Sequence, residues 1–155
     1  MKSEKKHWKS NLKYDPKFKM VKIDGEYIAF TGFSNRLLTR EQPAITTGNV
    51  IVIREELKSN EEWYQFILQH ESQHIIQFYT VQNLDDEYEK NKLNYEKEAC
   101  ARQILKIKWL DARMKDSIVV NLINYGADLN EALVFVDTVQ RAGKYPGVMG
   151  EKIII

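Results

Sequence analysis

From Ser59 to Tyr79 the chain runs without a glycine or a proline, and its large apolar residues and histidines recur at steps of three and four. Trp63, Phe66, Ile67, His70, His74 and Phe78 therefore share one face of a helix. Ser59-Asn60-Glu61-Glu62 has the form of a capping box, in which Ser59 accepts from a free backbone N–H and Glu62 reaches back. A helix of this length, with an apolar face and a start signal, constrains the fold more than any other stretch of the chain. The remaining elements have to be arranged so as to cover that face.

The same helix carries His70-Glu71-Ser72-Gln73-His74, an H-E-x-x-H motif. Residues i and i+4 stand one turn apart on the same side, so two imidazoles can converge on one ion. Neutral imidazole nitrogens suit Zn²⁺ in a tetrahedral shell. Glu71 is turned by about 100° around the helix. There its carboxylate stands near the ion without ligating it, placed to take a proton from an attacking water and return it to a leaving amine. A catalytic zinc needs a third protein ligand and one open position. Downstream, Tyr95-Glu96-Lys97-Glu98-Ala99-Cys100-Ala101 offers two carboxylates, Glu96 and Glu98, on a second helix. The small Ala99 would let that helix pack close to the first. Cys100, the only cysteine, reads as a small buried residue. Tyr79, Tyr88, Tyr95, Tyr125 and Tyr145 are candidates for a hydroxyl donor, and Gln77 lies near the face of His74.

Ahead of the long helix the pattern is that of strands. Asp24-Gly25 between two short apolar stretches in residues 20–32 predicts a hairpin. Residues 33–48, broken by Pro43 and Gly48, read as loop, and Val50 to Ile53 as a buried strand. After the long helix, the polar and acidic residues 82–92 predict a loop. Helices are expected roughly from Leu93 to Ala112, from after Asp116 to near Gly126, and from a cap at Asp128 to near Gly143. Ile153-Ile154-Ile155 would suit a sheet edge. Strands first and helices after make the fold class α+β, with short N-terminal strands ahead of a helical core.

With 155 residues, 43% hydrophobic and 29% charged, the composition is that of a single globular domain, and no apolar run approaches membrane-spanning length. No apolar segment follows the basic N-terminus, so a secretory signal is not expected, and one cysteine excludes an internal disulfide. These features predict a cytoplasmic protein. The net charge of +1 conceals an asymmetry: residues 1–22 hold eight lysines against Glu4 and Asp15. The organisation expected is a basic, flexible arm over residues 1–19 and one domain over 20–155. With Trp8 and Tyr14 among its lysines, the arm has the composition to meet nucleic acid or another anionic partner.

H-E-x-x-H followed by a Glu-x-Glu-Ala helix resembles the gluzincin branch of the zincin metallopeptidases, and is similar to the ImmA/IrrE-type and small phage or mobile-element peptidases. The likeness covers about residues 59–110. It implies a zincin-like domain that hydrolyses peptide bonds with Zn²⁺, with His70 and His74 as metal ligands and Glu71 as general base. Glu96 is implied as the third ligand, because Glu96-Lys97-Glu98-Ala99 fits the family's E-x-x-A; Glu98-Ala99-Cys100-Ala101 fits it as well. Where the family places an Asp or Asn that orients a ligand histidine, this chain has Cys100. A protein or peptide substrate is implied. The alternative is a zincin-like component without catalysis, held in a larger assembly such as a phage or mobile-element particle.

Overall fold

A computed structural model describes residues 15–149. The expected lysine-rich arm up to residue 14, and the Ile153–Ile155 end, lie outside the described residues. The fold is α+β: a four-stranded sheet precedes five helices. Strand β1 (Lys19–Ile23) and β2 (Tyr27–Phe33) form an antiparallel hairpin at Asp24-Gly25. Both turn residues are left-handed, at φ 54° and 72°, a conformation that glycine adopts freely and aspartate tolerates better than most residues.

The stretch 33–48, expected to be loop, contains a strand, β3 (Ala44–Thr47), which turns directly into β4 (Val50–Ile53). Sheet order is β1-β2-β4-β3, antiparallel except for the parallel β2–β4 pair. The interior strand β4 is buried on both faces, as its unbroken run of β-branched residues requires. Ile51 and Ile53 point into the main core beneath the helices. Val50 and Val52 join Phe18 in a smaller core on the other face, with Phe30, Leu37, Leu38 and Ile45 around it. The Phe18 ring lies directly over Gly32; a Cβ there would meet the ring at 2.6 Å, so only glycine permits this approach. Residues 15–18, which fall within the stretch 1–19 expected to be an arm, thus belong to the fold.

Helix α1 (Glu61–Thr80) is the expected long helix, but its cap is Asn60, whose side chain accepts from the Trp63 N–H at 3.3 Å. A 3-10 turn over Glu55–Ser59 takes up Ser59, whose hydroxyl donates to the Glu56 carbonyl instead. The helix is buried over more than its apolar face. Phe66, Ile67 and Ile75 enter the core, while Gln69, Glu71, Ser72, Gln73 and Gln77 are also buried, and Phe78 is exposed. The acidic connection forms a short helix, α2 (Leu84–Lys90), with Asp85, Asp86 and Glu87 in the first turn and Lys90 in the last, a charge order that favours a helix.

Helix α3 (Lys92–Lys106) ends six residues short of the expected Ala112. Asp111 ends that stretch by capping a new helix, α4 (Ala112–Asn124), through the Met114 N–H at 2.9 Å. Helix α5 (Leu129–Ala142) starts at the Asp128 cap and stops at Gly143, as expected. Side-chain bonds between α1 and α3 fall in opposite order along the two helices, Phe66 to Gln103, Gln73 to Glu98 and Gln77 to Tyr95, so the helices are antiparallel. Ala99 and Ala101 are fully buried on α3, and their small size permits this close packing. Among the described residues no helix is long and apolar enough to cross a membrane.

Candidate metal centre

The antiparallel pairing of α1 and α3 brings one turn of each helix face to face. His70 and His74 project from α1 and Glu96 from α3, with one ligand atom of each within 4.8 Å of the others. His70 Nε2 lies 2.9 Å from Glu96 Oε1, His74 Nε2 3.1 Å from Glu96 Oε2, and the two Nε2 atoms 3.3 Å from each other. The side chains are 12%, 16% and 3% exposed, so the ring edges reach solvent while the carboxylate is enclosed.

Each remaining polar atom of the trio has a partner. His70 Nδ1 meets the Gln103 carboxamide oxygen at 3.1 Å and His74 Nδ1 meets that of Gln77 at 2.8 Å. The Glu96 carboxylate accepts from the Tyr88 hydroxyl at 2.8 Å and from the Asn121 amide at 3.2 Å. Tyr125 is hydrogen-bonded to Tyr88. Burial disfavours a protonated His70, but the Glu96 charge beside it prevails and holds the ring well above the ordinary histidine value. His74 is raised by the same balance. Burial pushes Glu96 upward, yet the charges of His74 and His70 outweigh it and keep the carboxyl well below the ordinary carboxylate value. Burial and the Glu96 charge raise the Tyr88 phenol, which stays a neutral donor.

Two imidazole lone pairs and a carboxylate aimed at one point repel unless positive charge lies among them, as a shared proton or a metal ion. Two nitrogens and one carboxylate form a donor set that fits Zn²⁺, and the trio could hold such an ion.

Glu71 is buried one residue along the helix, outside the trio. Its Oε1 accepts from the Thr46 hydroxyl on β3 at 2.8 Å, and its charge is felt at His74. Glu98 is directed elsewhere: its Oε1 accepts from the Gln73 and Gln77 amides at 2.9 and 3.1 Å. Cys100 is fully buried, with Sγ 4.0 Å from His70 Nδ1 and 3.6 Å from Asn121 Nδ2. Among the five tyrosines only the Tyr88 hydroxyl is bonded to the trio; that of Tyr79 donates to the Ile28 carbonyl, at the sheet.

Gln103, Asn121 and Thr46 are the members of this arrangement absent from the sequence reading. Gln103 had a signal: Glu96, Cys100 and Gln103 stand at i, i+4 and i+7 on one face of α3. Asn121 and Thr46 come from separate elements, α4 and β3, and only the packing of the whole chain brings them here. No family model matches the chain, and no curated protein or solved structure matches it either.

Proposed function

We propose that this chain is a zinc-dependent peptidase of the zincin type, in which His70, His74 and Glu96 hold the metal and Glu71 is the general base. The observation that carries the proposal is the geometry of one helical turn. Two ring nitrogens and a carboxylate from the facing helix converge on one point, while the carboxylate between the two histidines stays out of the cluster. Bound there, zinc would polarise a carbonyl and make water acidic near neutral pH.

The chain's own groups supply the rest. Thr46 holds one oxygen of Glu71, which leaves the other to accept a proton from water and pass it to the departing amine. The Tyr88 hydroxyl donates its hydrogen bond to the Glu96 carboxylate and so holds that ligand in place. A peptide is the substrate that best suits the surroundings. Strand β3 carries Thr46 beside Glu71 and, among the described residues, pairs on one side only, with β4. An extended peptide laid along its other side would gain main-chain hydrogen bonds and present a carbonyl next to Glu71.

The test uses tagless protein loaded with zinc and a mixed-sequence peptide library, with products read by mass spectrometry. Wild type should cleave, a chelator should abolish cleavage, and Glu71→Gln should keep about one zinc per chain while losing turnover. A Glu71→Gln protein that cleaves as fast as wild type overturns the assigned base. Zinc bound by a wild type that cleaves nothing favours the non-catalytic assembly component instead.

A further inference from the structure

We infer that Gln77 and Gln103 are positioning residues that hold both ligand histidines in the Nδ1–H tautomer, so that both Nε2 lone pairs face the metal. This inference rests on the metal-site reading above, and concerns what makes these two rings ligands at all.

The argument starts from the far end of each carboxamide. Gln103 Nε2 donates to the Phe66 carbonyl at 3.0 Å, and a carbonyl oxygen can only accept. Gln77 Nε2 donates to the Tyr95 carbonyl at 3.1 Å and to the Glu98 carboxylate at 3.1 Å, two further acceptors. Neither amide can turn over without setting oxygen against oxygen inside the protein, since both side chains are buried, at 3% and 1% exposed. The oxygen of each therefore faces an imidazole, and the Nδ1 it faces must carry the hydrogen. In a neutral ring the proton on Nδ1 leaves Nε2 as the lone pair. Both Nε2 atoms are the ones aimed at Glu96 and at each other.

The arrangement accounts for two features of the sequence. Cys100 stands where the resemblance calls for Asp or Asn to orient a histidine, and a thiol is a weak partner. Gln103, one turn further along α3, reaches the ring that Cys100 only approaches. Glu98 fits the ligand motif in a second frame, and its carboxylate instead fixes the Gln77 amide. Through Gln77 it acts on His74, two contacts away from the centre.

The experiment combines ring-nitrogen NMR with metal titration on the full chain. Spectra of zinc-stripped protein should show a hydrogen on Nδ1 of both histidines. Spectra of the zinc-loaded protein should show Nε2 as the bound atom of each. Gln103→Met and Gln77→Met keep the length of the side chain and remove the acceptor. Each should weaken zinc about 10- to 100-fold in a chelator competition, and each should release the slowly exchanging Nδ1 proton of its own histidine alone. Thermal unfolding of the stripped variants checks that they fold, and the wild-type spectra need no variant. An Nε2–H tautomer in either ring of the stripped wild type overturns the inference, as do two Met variants that bind zinc as tightly as wild type. Nδ1–H in both rings of a wild type that takes up no zinc supports the locking and sinks the metal reading instead.

Discussion

Arg102 grips Asp24 across the protein with two parallel hydrogen bonds of 2.9 Å, from Nη1 to Oδ2 and from Nη2 to Oδ1. The pair ties the tip of the β1–β2 hairpin to α3, the helix that carries Glu96, and Gln69 of α1 accepts the third guanidinium bond at 3.0 Å. One arginine thus joins the sheet to both helices of the candidate metal centre. Burial raises the Asp24 carboxyl, but its bonds to Arg102 and the charges of Arg102 and Lys106 outweigh this and leave it below the ordinary value of 3.8. A lowered carboxyl contributes stability above its unfolded value and loses it as pH falls through the folded one.

Asp24→Asn tests this cleanly, because asparagine accepts the left-handed turn conformation. The variant should be less stable than wild type at pH 7 by about 1–3 kcal/mol, the usual range for losing bonds to a charged partner. The difference should close as pH falls from 4 towards 2. Urea midpoints across that range provide the check, and a constant difference would show that the pair contributes little through charge.

Glu96 and Glu98 sit two residues apart and have opposite surroundings, one between the histidines and the other among glutamines. Glu96→Gln should lose zinc by more than the roughly 10–100-fold expected of residues that only orient ligands. Glu98→Gln should retain close to one zinc per chain, with affinity reduced by no more than that range. Metal analysis after gel filtration distinguishes the two, and the reverse order would move the third ligand to Glu98.

Thr46→Val removes the hydroxyl that holds Glu71 and keeps the shape of the side chain. Zinc content should be unchanged. The turnover number should fall about 10- to 100-fold, the equivalent of one hydrogen bond to a charged group, with KM little altered. A loss confined to KM would show that Thr46 meets the substrate and leaves the base alone.

Gly32→Ala would place a methyl group inside the contact distance of the Phe18 ring. The ring has to leave the Val50–Val52 face or the strand has to bend. Overpacking of this kind costs about 1–3 kcal/mol, and thermal unfolding of the variant measures it. An unchanged midpoint would mean that the ring moves aside at no cost.

What could be read beforehand was local in the chain. The H-E-x-x-H spacing, the Asp24-Gly25 turn, the β4 run and the Asp128 and Gly143 signals each depend on a few consecutive residues, and the structure has each of those elements in place. Boundaries slipped where two local signals competed. Ser59 and Asn60 are both good caps, and the 3-10 turn that takes up Ser59 leaves the cap to Asn60. Asp111 lay hidden within a helical pattern until its side chain bonded the Met114 N–H. Strand β3 is not legible in the sequence because Ala44-Ile45-Thr46-Thr47 is short and follows Pro43; its pairing with β4 supplies the stability that the segment lacks by itself.

The site divides in the same way. Both histidines and Glu71 lie within one turn of one helix, so periodicity alone placed them together. Choosing between Glu96 and Glu98 required the rotation of α3 about its own axis, which the packing of Ala99 and Ala101 against its neighbours sets. Asn121 stands 25 residues beyond Glu96, on another helix, and no spacing rule connects them. Buried glutamines carry little signal in a sequence, since Gln77 and Gln103 look like any polar residue on a helix until the facing helix is in place.

The small core on the outer face of the sheet closes with a single ring, and that ring comes from in front of the first strand. The boundary for shortening this protein therefore falls before Asp15, whose carbonyl accepts from the Phe18 N–H at 2.9 Å and whose side chain accepts from the Lys17 N–H. A chain begun at β1 would retain the described strands, the described helices and the candidate ligands, yet would take the Phe18 ring off Val50 and Val52. Such a fragment would fail by clumping with its own kind, and its poor yield would say nothing about the chemistry of the centre.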